Sequence, residues 1–169
     1  MPLRRNSGEP ENGQRIGDQI DAALIVAVLP VESSRIPDDS QVIWVAEGEV
    51  SKAYLCLAMS LMTTHVVNDL VGTQPIFVTY CDQTDCARVF LGKEPGIPPA
   101  LKLGGYLNSE MALRLDEVMY SQSSKSIPLA DREFERATWG EWKAAHPSTV
   151  VYVGDRENEF LIKQNQTSP

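Results

Sequence analysis

Short apolar runs separated by clusters of turn formers set the pattern of this chain, and most of the runs alternate with the period of two expected of strands. Gln41-Val-Ile-Trp-Val-Ala46 is rich in strand formers, Glu47-Gly48-Glu49 supplies turn chemistry and Lys52-Ala-Tyr-Leu resumes the apolar pattern, so a hairpin is expected. Residues 53–62 fit both periods, with Leu55, Met59 and Met62 at helical spacing and Leu55, Leu57, Met59 and Leu61 at strand spacing. Gly72-Thr-Gln-Pro75 predicts a turn. Ile76-Phe-Val-Thr-Tyr-Cys81 then predicts a strand with Ile76, Val78 and Tyr80 on one face and Phe77, Thr79 and Cys81 on the other. Asp82-Gln-Thr-Asp85 is turn-forming and Ala87-Arg-Val-Phe-Leu91 resumes the strand pattern, which puts Cys81 and Cys86 at the tip of a second hairpin.

The remaining pattern is weaker. The two Gly and three Pro between Gly92 and Pro99 mark a loop. Ala100-Leu-Lys-Leu103, Met111-Ala-Leu-Arg-Leu115 and Val118-Met-Tyr-Ser-Gln122 read as strands, with Gly104-Gly-Tyr-Leu-Asn-Ser109 as a plain loop between the first two. Thr138-Trp-Gly-Glu141 has the form of a helix capping box, predicting a short helix from Trp139 to Ala145 that ends at His146-Pro147. Its Trp139, Trp142 and His146 share one face, the mark of core packing. Thr149-Val-Val-Tyr-Val153 predicts a closing strand. Residues 1–20 have little to bury and read as a disordered arm, and 158–169 read as a polar tail, leaving 21–157 as a single domain. The expected fold is α+β with β predominant: a mainly antiparallel sheet carrying one or two short helices.

Composition narrows the function classes. A chain of 169 residues with 43% apolar content suits one core. Its 15 Lys and Arg against 23 Asp and Glu give a net charge of -8, and no basic patch interrupts the acidic surface, so nucleic acid is not an expected partner. No apolar run approaches the roughly 18 residues needed to span a bilayer. The run Ala22-Ala-Leu-Ile-Val-Ala-Val-Leu29 follows Glu9, Glu11, Asp18 and Asp21, which do not suit an export leader, and it reads as a strand or short helix. A cytoplasmic location is the expectation for the chain as written, with export left open if the start site is misplaced. Three Cys cannot all pair within one chain, so free thiols are expected.

The residue types with most chemistry lie close together in sequence. His65, Cys81 and Cys86 are a candidate metal-ligand set suited to zinc or copper, with Asp69 or a water completing four-fold coordination. Such a set would make the chain a metal- or ligand-binding module. Alternatively Cys81 is a nucleophile with His65 as its base and Asn68 or Asp69 orienting the imidazole, which would make it a Cys-dependent enzyme. Cys81 and Cys86 are also placed for a redox pair, although Asp82 and Asp85 between them disfavour the thiolate. In the third reading, a structural or interaction domain without catalysis, the thiols only pack, Asn68 and Asp69 form a turn before Gly72, and Cys56 is a core residue.

Several motifs occur in a recognisable order: Val42-Ile-Trp-Val45, Lys52-Ala-Tyr54, His65-Val-Val-Asn68-Asp69-Leu-Val-Gly72, Pro75-Ile-Phe-Val-Thr-Tyr-Cys81, Leu107-Asn108-Ser109, and Trp139-Gly-Glu-Trp142-Lys-Ala-Ala-His146-Pro147-Ser-Thr149-Val150. Over residues 41–153 the chain resembles DUF3179, a bacterial domain family of unknown function. Members of that family carry a His-Glu-x-x-Asn-Asp motif and a Tyr-Cys-Pro-Leu-Cys-Gly-Ser-Ala segment. Here Val66 follows His65, and Thr84 stands at the second Cys position with Cys86 two places later. The resemblance therefore implies a fold and the location of a site, and it implies no activity.

Overall fold

Strand β5 (Gln74–Cys81) lies at the centre of the architecture, because all of its residues except Gln74 are buried and each of its faces has a different partner. The computed structural model describes residues 28–93 and 101–160. Along β5 the alternation read from sequence holds: Ile76, Val78 and Tyr80 join one apolar cluster, and Phe77 and Cys81 join another. Antiparallel neighbours β4 (Val66–Val71) and β6 (Cys86–Leu91) flank it, in registers that set Val66 opposite Thr79 and Cys81 opposite Cys86. The β4–β5 turn runs through Gly72, whose φ of 62° is the left-handed conformation that a side chain disfavours.

One face of this three-stranded sheet packs on a five-stranded sheet. Its order is β1 (Val28–Pro30), β11 (Val150–Tyr152), β3 (Val50–Leu55), β2 (Gln41–Glu47), β10 (Glu135–Thr138), antiparallel throughout except where β11 runs parallel to β3. Ile43, Val45 and Tyr54 meet Val67, Val71, Ile76, Val78 and Val89 across that interface. Helix α1 (Trp139–Ala145) covers the far face, where Trp139 and Trp142 pack with Val42, Ala53, Leu55 and Val151. Both halves of the expected capping box form at its start: Thr138 accepts from the Glu141 amide, and the Glu141 carboxylate accepts from the Thr138 amide. Gly140 lets the helix approach the preceding loop, since a Cβ there would sit 2.9 Å from the Asp38 side chain.

The opposite face of the central sheet packs on β7 (Lys102–Leu107), β8 (Glu110–Leu115) and β9 (Val118–Ser121), with Phe77, Cys81 and Phe90 against Met111 and Leu113. The result is a stack of helix, five-stranded sheet, central sheet and outer sheet. Among the described residues strand far outweighs helix, so the fold is predominantly β, and the α+β expectation describes it only loosely.

Three local expectations are corrected. Gly104 to Leu107 are strand rather than loop: β7 continues through a bulge between Leu103 and Gly105, and the turn is made by Asn108 and Ser109, both with positive φ. The ambiguous stretch 53–62 is neither a long helix nor a long strand, because β3 ends at Leu55 and one 3-10 turn, Cys56–Met59, follows. Asn68 and Asp69 lie inside β4 rather than in the turn. The polar strand β10 had no apolar alternation to announce it. Phe160, within a stretch expected to be a tail, is buried in the helix-side cluster at the end of α2 (Glu157–Phe160). The expected arm 1–20 lies outside the described residues, as does the remainder of the tail from 161 onward.

Because β5 is sealed on both sides, truncation there leaves a cavity that neither neighbouring sheet can fill. Phe77→Ala is expected to cost about 3–5 kcal/mol in urea unfolding, whereas truncation of the exposed Val118 is expected to stay within about 0.5 kcal/mol.

Candidate functional site

The sequence motif His65–Asp69 runs along β4 and the residue before it, and strand alternation distributes its side chains to two faces. The Tyr80 amide donates to the His65 carbonyl, so His65 stands opposite Tyr80. Val66 packs with the cluster containing Cys81, while Val67 packs with the cluster on the other face. His65 therefore faces the five-stranded sheet. Its Nδ1 lies 2.7 Å from the Met59 carbonyl oxygen, an acceptor only, which makes Nδ1 the protonated nitrogen. Its Nε2 lies 3.7 Å from Asp82.

Cys81 lies on the opposite face, 3% exposed among Phe77, Phe90 and Leu101. Cys86 is exposed, and its thiol makes only a 3.5 Å contact with the Thr84 carbonyl. The structure thus pairs Cys81 with Cys86 in strand register but does not bring His65 to either. This separates the imidazole from the sulfur that a Cys-His nucleophile requires, and likewise scatters the metal set His65, Cys81 and Cys86. Among the described residues no group of three or more His, Cys, Asp or Glu side chains is gathered to hold a metal ion.

Asn68 has a structural task on the Cys81 face. Its side chain donates to the Leu101 carbonyl at 2.9 Å and accepts from the Leu101 amide at 3.1 Å, tying β4 to the chain just before β7. Asp69 turns the other way into the interface between the sheets, where it is 2% exposed. Lys52 reaches both of its oxygens, at 3.0 and 2.8 Å, the Tyr54 hydroxyl donates at 2.9 Å, and the Leu70 amide donates at 2.7 Å. Lys52 and Tyr54 project from the same face of β3, two residues apart, so two of the motifs seen in the sequence converge on one carboxylate. Burial, reinforced by Asp69, pushes the Tyr54 phenol well above its ordinary pKa and keeps it neutral. With the lone pairs of Asp69 engaged by four donor contacts, this centre joins two sheets and offers no free base or nucleophile.

A second polar group gathers at the tip of the β5–β6 hairpin. Asp85 accepts from Arg136 of β10 at 2.7 Å and from the Tyr80 hydroxyl at 3.0 Å, and these bonds hold its carboxyl below the usual carboxylate range. Cys56 lies beneath them, and burial raises its thiol pKa despite the nearby Arg136 guanidinium. A buried, protonated thiol is a packing residue.

The open space lies elsewhere. A cleft of about 750 Å³ runs between β2, β6 and the segment 131–135, with Trp44, Val45, Val89 and Phe134 as its apolar lining and Arg88 and Arg132 among its polar residues. Arg88 is held by four hydrogen bonds: it binds Asp131 through two nitrogens, at 2.6 and 3.1 Å, and donates to the Gln122 and Ser124 carbonyls. Arg132 is held less completely. Its Nη2 bonds the Ala46 carbonyl and Glu47, while its buried Nε has no hydrogen-bond partner among the described residues. Trp44 is further fixed by a stack in which Trp142 lies 4.2 Å from it and His146 3.6 Å from Trp142, ring centre to ring centre. Sequence reasoning missed this cleft because 131–135 has no strong pattern, and the partners of Arg132 lie some 85 residues away in sequence.

Asp69→Asn is expected to destabilise the fold by about 3–5 kcal/mol in urea unfolding, because it strands the Lys52 charge. The double change Lys52→Met with Asp69→Leu is expected to recover most of that loss. Alkali gives a second check. Burial, with Asp85 adding for Tyr80 and Asp155 for Tyr152, pushes both phenols up to about 12. A folded-state pKa raised above the unfolded value near 10 gives stability that is present below pH 10 and lost as pH rises towards 12. Phenolate absorbance from these two residues should accordingly appear only with that loss, in a titration followed alongside circular dichroism.

A search of curated proteins finds no match to this chain, and a search of solved structures finds none. The model of one family, a protein of unknown function designated DUF3179, matches residues 19–161. That match covers most of the 169 residues, including every side chain of the buried Lys52–Tyr54–Asp69 centre and of the cleft, and the chain belongs to the DUF3179 family.

Proposed function

We propose that this chain is a ligand-binding module whose site is the cleft between β2, β6 and the segment 131–135. The observation that carries the reading is Arg132, which lines an open, partly apolar cavity and whose buried Nε N–H meets no acceptor among the described residues. A buried donor with no partner costs about 1–3 kcal/mol, and an acceptor on a bound molecule removes that cost. The lining suits a small molecule with an apolar body against Phe134 and an oxygen directed at Arg132. The four hydrogen bonds from Arg88 to Asp131 and two carbonyls fix one wall of the cleft in advance of binding.

The site differs from the thiol and imidazole residues singled out in the sequence. A metal-binding or Cys-dependent function would require His65 to reach Cys81 or Cys86, and β4 and β5 direct those side chains apart. The reading as an interaction domain without chemistry draws support from a separate feature, the exposed apolar residues Leu57, Leu61 and Met62 beside the 3-10 turn, of which Met62 is 77% exposed.

Titration of the full chain with an aromatic sulfonate, followed by amide chemical shifts, tests the proposal. Saturable shifts confined to residues 44–46, 88–89 and 131–135 are expected, and Arg132→Lys should weaken binding roughly tenfold or more, since Lys lacks the Nε donor. Shifts scattered over the surface, or an affinity indifferent to Arg132→Lys, would remove the cleft as a site and leave the interaction-domain reading.

A further inference from the structure

We infer that Cys81 and Cys86 are a redox modification site, which a small-molecule disulfide such as oxidised glutathione converts to an intramolecular disulfide. The two residues are direct partners across β5 and β6, and both are free thiols. The Tyr80 amide points to His65 on β4, so the next residue, Cys81, directs its backbone groups to β6 and forms a hydrogen-bonded pair with Cys86. Opposed residues of that kind have Cα atoms about 5.5 Å apart, inside the range that a disulfide spans. Their side chains project from the same face of the hairpin.

The two thiols differ in access, and this difference orders the steps. Cys86 is exposed, and its thiol makes only a 3.5 Å contact with the Thr84 carbonyl, so its thiolate attacks a sulfur of the reagent and releases one small thiolate. Cys81, at 3% exposure, is closed to the reagent but lies beside the mixed disulfide. Its thiol loses a proton to solvent, its sulfur bonds to that of Cys86, and the second small thiol leaves. The protein loses two electrons and two hydrogens, and the reagent is reduced to two thiols.

Sequence alone set Asp82 and Asp85 against this chemistry, and the structure turns both away. Asp85 is engaged by Arg136 and Tyr80, and Asp82 lies 3.7 Å from His65, with Tyr80 and His65 on the opposite face from Cys81. The third thiol, Cys56, is buried on that opposite face and is not in register with either partner.

Incubation of the full chain with oxidised glutathione, then intact mass and peptide mapping, tests the inference. The expected product has lost two hydrogens, carries a Cys81–Cys86 link, keeps Cys56 as a thiol and returns to the starting mass with dithiothreitol. Cys81→Ala should stop at a glutathione adduct on Cys86, and Cys86→Ser should leave Cys81 unmodified. A lasting adduct on wild-type Cys86, a Cys86-linked dimer, or three unreacted thiols would each overturn the inference. Mapping of the wild-type chain decides the matter even if the core variant Cys81→Ala does not fold.

Discussion

Burial of β5 on both of its faces is the constraint from which the layered structure follows. A strand whose side chains are apolar in both directions needs a sheet above it and a sheet below it, and this chain supplies one on each side. The polar exception on β5 shows how strict the requirement is. Thr79 is fully buried, and its hydroxyl donates to the Arg88 carbonyl at 2.9 Å and accepts from Gln122 at 3.0 Å, so its hydrogen-bonding capacity is met without water. One strand thus contributes side chains to both interfaces.

The same constraint dispersed the residues that looked most chemical in the sequence. Once Tyr80 is committed to one interface, Cys81 is committed to the other, and His65, opposite Tyr80, follows Tyr80. Strand position was legible for 41–46, 76–81 and 87–91, and facing for 76–81, because burial imposes a period of two on the order of residues. The capping box and the single face of Trp139 and Trp142 were legible for a similar reason: both depend on residues within one helical turn of each other. What could not be read was any contact between sheets. Lys52 and Asp69 are ordinary surface residue types, and only their placement on facing strands turns them into a buried pair. Arg132 and its partners on β2 are further apart still. The bulge after Leu103 was hidden because two adjacent glycines suggest a turn more strongly than a strand.

Two kinds of polar group result. In the Lys52–Tyr54–Asp69 centre the charges oppose each other and the carboxylate accepts four hydrogen bonds, an arrangement that specifies which strand of one sheet faces which strand of the other at the cost of desolvating an ion pair. In the cleft Arg132 is matched only in part. Completeness makes the first a fastening, and incompleteness in the second is what the proposed ligand site rests on.

The order of strands in the five-stranded sheet carries a consequence for biosynthesis. Among the described residues β1 has a single neighbour, β11, and β11 in turn lies between β1 and β3. As the polypeptide leaves the ribosome, β2 and β3 can form their hairpin early, but Val28–Pro30 must wait until residues 150–152 have emerged before it has a partner. Among the described strands the last is the keystone for the first, and this layer of the protein closes only once residue 152 has emerged.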